Sequence, residues 1–265
     1  MPLESFRGDT WILLRGLTRS SPHWGDFPVK IATQFPGAAV HCLDLPGNGR
    51  YHQVKTPTSI PEITEFVKRD FEALMRHKLA ETGEPGRCFL VSLSLGSMVA
   101  VDWITRYPGD FSGVVLMNTS LSGVSPVYHR MRLKILPLVM RIFAEKRVEA
   151  RERLILKLTS RHPDRHESVI PGWVSTARAF PITYANVMRQ LTAAMRFRVP
   201  GRPPVAPLLI LSSKGDELVD SVCSEALRDR WVSTFRQHPT AGHDLPLDEP
   251  EWVLDNLRQW RLSLG

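Results

Sequence analysis

No apolar run in the chain approaches the roughly 20 residues that a helix needs to span a bilayer. The opening residues, MPLESFRGDTWILLRGL, carry no basic leader, and their apolar stretch, Trp11 to Leu14, is far too short for a secretory signal. A cytoplasmic location is therefore expected. Cysteine is scarce: Cys42, Cys88 and Cys223 are odd in number, widely spaced and form no CxxC pair. That argues against a disulfide framework and for reduced, structural thiols. Acidic residues are also in deficit, 27 against 34 Lys and Arg, for a formal charge of +7. The imbalance is local, because residues 121–204 hold 16 basic and 5 acidic residues while the remainder is slightly acidic. No helix-turn-helix, zinc-finger or RRM aromatic signature surrounds the basic stretch, so no nucleic-acid partner is expected.

Metal and cofactor signatures are equally thin. His162 and His166 have helical spacing, but Pro163 between them disfavours a regular helix, and His41 and Cys42 point to opposite faces of a strand pattern. Gly47 and Gly49 lack the third glycine of a dinucleotide fingerprint and lead into a polar loop. Neither a metal nor a cofactor is expected.

What the sequence does have is rhythm. With 265 residues, 43% of them hydrophobic, it is long enough for one large domain. Short apolar runs recur at residues 10–14, 38–45, 87–91, 113–117, 207–211 and 233–238. Helical periodicity fills residues 26–34, 61–79 and 250–264. This pattern predicts an α/β fold: a doubly wound, mostly parallel sheet with right-handed crossovers. Residues 120–205 break the rhythm, with no convincing strand and at least two helical stretches. The expected organisation is thus a core of residues 1–120 and 205–265 with a helical lid at 121–204.

The stretch FLVSLSLGSMVAVDW has the makings of a strand, a tight turn and a helix. A nucleophilic serine on such a turn needs small residues two before and two after it, and Ser94 has Ser92 and Gly96 there. A base and an acid should follow at later strand ends. His243, in PTAGHDLPLDEPEW, comes after the last strand and before the final helix. In LLILSSKGDELVD, Asp216 sits in a turn beyond its strand, with Glu217 and Asp220 as rivals. The chain order Ser94, Asp216, His243 suits nucleophilic catalysis on a doubly wound sheet.

At these residues the sequence resembles the α/β-hydrolase superfamily, and the resemblance spans nearly the whole chain outside the helical insertion. Asp44-Leu45-Pro46-Gly47-Asn48-Gly49 matches the superfamily's D-x-P-G-x-G turn. Arg15-Gly16-Leu17 stands where a His-Gly pair is usual, and Ser92 replaces a glycine of the elbow; both are departures. The resemblance implies a catalytic triad of Ser94, Asp216 and His243 and an oxyanion hole built from the backbone N–H groups of Leu17 and Leu95. It further implies a serine hydrolase cleaving an ester-like bond of a small molecule through an acyl-enzyme, a carboxylesterase acting on a small or acyl-chain ester. Trp24, close after the first strand, is a candidate to line the substrate pocket. The alternative is a slow or inactive member of the fold that acts as a ligand-binding or interaction protein. Between Met131 and Leu158 apolar residues alternate with Arg and Lys, so the lid is expected to cover an apolar pocket with one face. Its other face would attract an anionic substrate or a membrane surface.

Overall fold

The computed structural model describes residues 6–199 and 201–265. Among them, six strands form one sheet: β1 (Thr10–Leu14), β2 (Ala39–Leu43), β3 (Cys88–Leu93), β4 (Gly113–Met117), β5 (Leu208–Ser213) and β6 (Thr234–His238). The order is β2-β1-β3-β4-β5-β6, and every neighbouring pair is parallel. The helices α1 (Phe27–Gln34), α2 (Ile60–Thr82) and α3 (Leu95–Arg106) make the first crossovers. After β4 come α4 (Val127–Arg130), α5 (Leu136–Ala144), α6 (Val148–Thr159), α7 (Ile170–Ala179) and α8 (Tyr184–Arg196). The chain then returns to the sheet, adding α9 (Val222–Arg230), α10 (Leu245–Asp248) and α11 (Pro250–Ser263).

Strand side chains alternate between the faces, and because both faces are covered the buried strands β1, β3, β4 and β5 are mostly apolar, whereas the edge strand β6 is mostly polar and only partly buried. Ile12, Leu14, Leu90, Val114, Leu116 and Ile210 face a core shared with Ile63, Val67 and Phe71 of α2, with Val99 and Trp103 of α3, and with Leu227 of α9. Trp11, Leu13, Phe89, Val91, Val115 and Leu209 face the other side, against Phe27 and Ile31 of α1 and Val253, Leu257 and Trp260 of α11. The cysteines lie in or beside these cores. Burial pushes the thiols of Cys42 and Cys88 up to about 12 and that of Cys223 to about 11, so all three are protonated thiols at neutral pH.

The expected strands at Thr10–Leu14 and Gly113–Met117 have those bounds. Two others run further than apolar content indicates: β3 continues through Ser92 and Leu93, and β5 through Ser212 and Ser213. Register explains the extension, since Ser212 and Ser213 pair with Gln237 and His238, and backbone hydrogen bonds carry those rungs. From β1 the chain moves outward to β2 and then returns to the other side of β1 as β3. The loops leaving β1 and β3 therefore diverge at the carboxyl edge of the sheet, where open α/β sheets form their crevice.

Gly113 starts β4 because α11 leaves no room: a Cβ there would lie 2.6 Å from the Trp260 ring. Intrinsic strand preference favours Gly113→Val, whereas packing opposes it. We expect packing to win, with Gly113→Val losing about 1–3 kcal/mol in urea unfolding; an unchanged or higher midpoint would show that α11 can give way.

Candidate active site

Ser94 sits at the junction of β3 and α3 with φ 58 and ψ −117, a positive-φ conformation that side-chain-bearing residues seldom adopt. Its surroundings impose it. The Ser94 N–H donates to Met117 O (2.9 Å), and its carbonyl accepts from Ser97 N (3.0 Å) and from the Thr119 hydroxyl (2.9 Å). Gly96 is obligatory here, because a Cβ would lie 2.6 Å from Arg15 O and 2.7 Å from Leu14 O. Ser92, the departure in the elbow, is accommodated by hydrogen bonding. Its hydroxyl donates to Val115 O (2.7 Å), and Ser97 Oγ donates back to Ser92 O (2.9 Å). A glycine would leave that link to β4 unmade.

The loop after β1 presses on the elbow. A Cβ on Gly16 would come within 3.0 Å of Ser94 Cβ and 3.5 Å of its Oγ. Next to it, the amide of Leu17 has no acceptor among the described residues, and neither does that of Leu95 at the first turn of α3. An unpaired amide is ordinary at a helix start, but Leu17 is in no helix. The neighbouring Thr18 is held at φ 59 by its amide's hydrogen bond to Gln190 Oε1 of α8 (3.0 Å), and Gln190 Nε2 reaches Asn48 Oδ1 (2.8 Å).

His243 and Asp216 are brought together directly, Nδ1 to Oδ2 at 2.7 Å, and the aspartate is only 1% exposed. The other oxygen of Asp216 accepts from the amides of Leu218 and Val219 at 2.8 and 2.9 Å, so the carboxylate is fully engaged and fixed in orientation. Gly215 permits this approach: a Cβ there would lie 2.2 Å from Thr240 O and 2.6 Å from Ala241 O. The rivals are committed elsewhere. Asp220 meets His129 and Arg132, each at 3.2 Å; burial pushes its pKa up, but the Val222 amide and these two partners outweigh it and the net direction is down. Glu217 pairs with Lys134 and Arg161 at the surface.

No direct hydrogen bond joins Ser94 Oγ to His243 in this structure; they are linked through the residues after β4. Thr119 holds the carbonyl of Ser94, and Asn118 Nδ2 donates to the carbonyls of His243 (2.9 Å) and Gly242 (3.1 Å). Asn118 adopts φ 43, which asparagine tolerates better than most residues. Sequence reading passes over Asn118 and Thr119; the available signal was a turn-forming asparagine directly after an apolar strand.

Arg15 is the second surprise. Its guanidinium makes a buried bidentate pair with Asp244, the residue after His243, at 3.0 and 2.5 Å, and it lies over the Trp24 ring at 4.8 Å. Trp24 packs into the core: it is buried and stacks on Phe27, with Arg15 over its ring. Arg19 makes a parallel link, to Glu152 of α6 at 2.6 Å, and stacks over Trp173 of α7 at 4.2 Å. Nearby His23 is held neutral, its pKa well below the ordinary value through burial first and then the charges of Arg19 and Arg15. The segment between β4 and β5 also meets the His243 loop directly, with Asp244 N donating to Thr159 O (2.9 Å) and Ser160 Oγ donating to Asp248 (2.5 Å).

Comparison with known proteins agrees with this architecture. The family described as serine aminopeptidase, S33, matches residues 14–250, and the chain belongs to this family of α/β hydrolases. A monoacylglycerol lipase of Mycolicibacterium smegmatis is 27% identical over 239 residues, which cover 86% of this chain and 79% of the lipase. A thermophilic esterase from Thermogutta terrifontis superposes with TM-score 0.73 at 20% identity, covering 97% of this chain and 91% of the esterase. An α/β-hydrolase fold protein from Chitinophaga pinensis gives 0.72 at 16% identity, with 96% and 89% covered.

The Arg15–Asp244 pair yields a stability prediction. Arg15→Met or Asp244→Leu alone strands a buried charge and should cost about 3–5 kcal/mol. The double substitution removes both charges and should recover most of that loss in denaturant unfolding; equal losses in single and double variants would show that the pair matters through its volume and not its charge.

Proposed function

We propose that the chain is a serine hydrolase that cleaves ester-like bonds through an acyl-enzyme, acting as a carboxylesterase on small or acyl-chain esters. The observation that carries this reading is the 2.7 Å bond between His243 Nδ1 and the buried Asp216 carboxylate. A carboxylate accepts, so Nδ1 holds the proton and Nε2 is left with a lone pair, the tautomer a general base requires. His243 takes the Ser94 proton, and the alkoxide attacks the ester carbonyl. Oxyanion charge falls on the unpaired amides of Leu17 and Leu95, which need no reorganisation to receive it. The tetrahedral intermediate expels the alcohol with the proton returned from His243, leaving Ser94 acylated; water, deprotonated by His243, then releases the acid and restores the serine. The missing Ser94–His243 hydrogen bond does not oppose this, since such bonds are often long before substrate arrives.

The ester preference is supported by the names of the relatives, a monoacylglycerol lipase and an esterase. We read residues 121–204 as a lid over the site. Its links through Gln190, Glu152 and Thr159 to the Leu17 and His243 loops support that reading.

Fluorophosphonate should label wild-type protein at Ser94, and Ser94→Ala should lower hydrolysis of a short p-nitrophenyl ester by roughly 10³-fold or more. Labelling of the alanine variant at an unchanged rate would remove Ser94 from the mechanism, and a wild type no faster than buffer would favour the binding-protein alternative. Asp216→Asn should impair turnover by about 10³-fold or more, and Asp220→Asn far less. The reverse ranking would transfer the acid's role to Asp220.

A further inference from the structure

Most of the segment between β4 and β5 is tied to the core, and α5 is the exception. Buried contacts from Glu152, Thr159, Trp173, Asn186 and Gln190 hold α6, α7 and α8, as described for the site loops and, for Asn186, through Thr56 N (3.0 Å) and Val54 O (3.0 Å). α5 has no buried residue at all. From the turn before it, Leu133 (63% exposed), Leu136, Met140 (71%) and Phe143 follow one another at intervals of three, four and three residues, a single stripe on the outside of the helix. On α8, Tyr184 (67%), Met188 and Met195 repeat at helical spacing, roughly opposite the buried Asn186, Val187, Gln190 and Ala193. The Phe143 and Tyr184 rings meet with centroids 5.7 Å apart, joining the two stripes. Apolar patches this extended are rare on a surface meant only for water.

The net charge around the patch is positive. Arg141 and Lys146 on and beyond α5, and Arg196 and Arg198 at the end of α8, are exposed; among the described residues Lys146, Arg196 and Arg198 meet no carboxylate at ion-pair distance, and Arg141 reaches only the charge of Glu145, which already pairs with Arg147. Most acids of the segment are already engaged: Glu152 is buried on Arg19 of the β1 loop, Glu149 and Glu167 pair with Arg153, and Glu145 with Arg147. Like charge opposes a second copy of the chain on this face, and the combination of large apolar side chains with uncompensated cations is that of a helix lying in a headgroup layer.

We infer that α5 and the outer face of α8 dock on an anionic lipid surface, with Leu133, Leu136, Met140, Phe143 and Tyr184 entering the acyl boundary and the arginines and Lys146 meeting lipid phosphates. This stands apart from the hydrolytic reading, because it depends on no residue of the Ser94 site.

Co-sedimentation of the full chain with extruded vesicles tests it directly. Binding to phosphatidylcholine vesicles containing phosphatidylglycerol should be at least ~10-fold tighter than to phosphatidylcholine alone, and it should weaken as salt rises. Met140→Asp/Phe143→Asp and Arg141→Glu/Lys146→Glu should each lose roughly 10-fold or more of that binding. Both should keep the wild-type melting temperature and, if the chain is an esterase, the wild-type rate on a water-soluble ester. The Ser94→Ala variant should bind vesicles as wild type does, which separates this proposal from the catalytic one. Equal binding to both vesicle types, or none, would overturn it. So would a wild-type dimer in sedimentation velocity that Met140→Asp/Phe143→Asp converts to monomer, because a second copy would then cover the face.

Discussion

Main chain touches main chain at the carboxyl edge of this sheet, and the rest of the site depends on that contact. Gly96 lets the first turn of α3 rest on the carbonyls of Leu14 and Arg15, Gly16 lets the next loop lie against Ser94, and Gly215 lets the turn of Asp216 reach the loop of His243. None of the three is required by a positive φ. Space is the constraint, since a methyl at Gly96 or Gly215 would collide with backbone carbonyls and one at Gly16 would press on Ser94 and on Leu93 O. The strained backbone of Ser94 persists because these neighbours leave it nowhere else to go.

Polar links then set the loops in register. Asn118 and Thr119 tie the end of β4 to both His243 and Ser94, so three strands share one hydrogen-bonded seam. Arg15 and Asp244 lock the β1 loop to the His243 loop through a buried bidentate pair. A buried ion pair contributes little net stability when intact, but it is exacting about partner and geometry. Its effect here is to define where His243 sits relative to the loop bearing Leu17. Gln190 and Glu152 extend the same control from the helical segment, which connects residues outside the sheet to the edge where chemistry is proposed.

The sheet was legible because its signals are local. Apolar runs bounded by turns mark strands, and small residues flanking Ser94 mark the elbow whatever the rest of the chain does. The turn after Gly215 favours Asp216, but Glu217 and Asp220 stay rivals in sequence, because the partners that engage them, such as His129 and Arg132 on Asp220, lie far away along the chain. The Arg15–Asp244 pair spans 229 positions and has no sequence signature. Trp24 shows a different limit: proximity to a candidate loop does not say which way an indole turns, and it turned into the core beside Phe27. For α5, periodicity marks an apolar stripe and the expectation turned it toward a pocket, whereas in the structure Leu133, Leu136, Met140 and Phe143 face outward.

The proposed chemistry requires that Ser94 become covalently acylated. Rapid-quench mixing of wild-type protein with a p-nitrophenyl acyl ester, followed by peptide mass mapping, reads that event. The account predicts a burst of p-nitrophenol approaching one equivalent per chain when deacylation is slower than acylation, and the acyl mass on the peptide containing Ser94. Steady turnover with no acylated peptide, or acyl groups on a different residue, would contradict it.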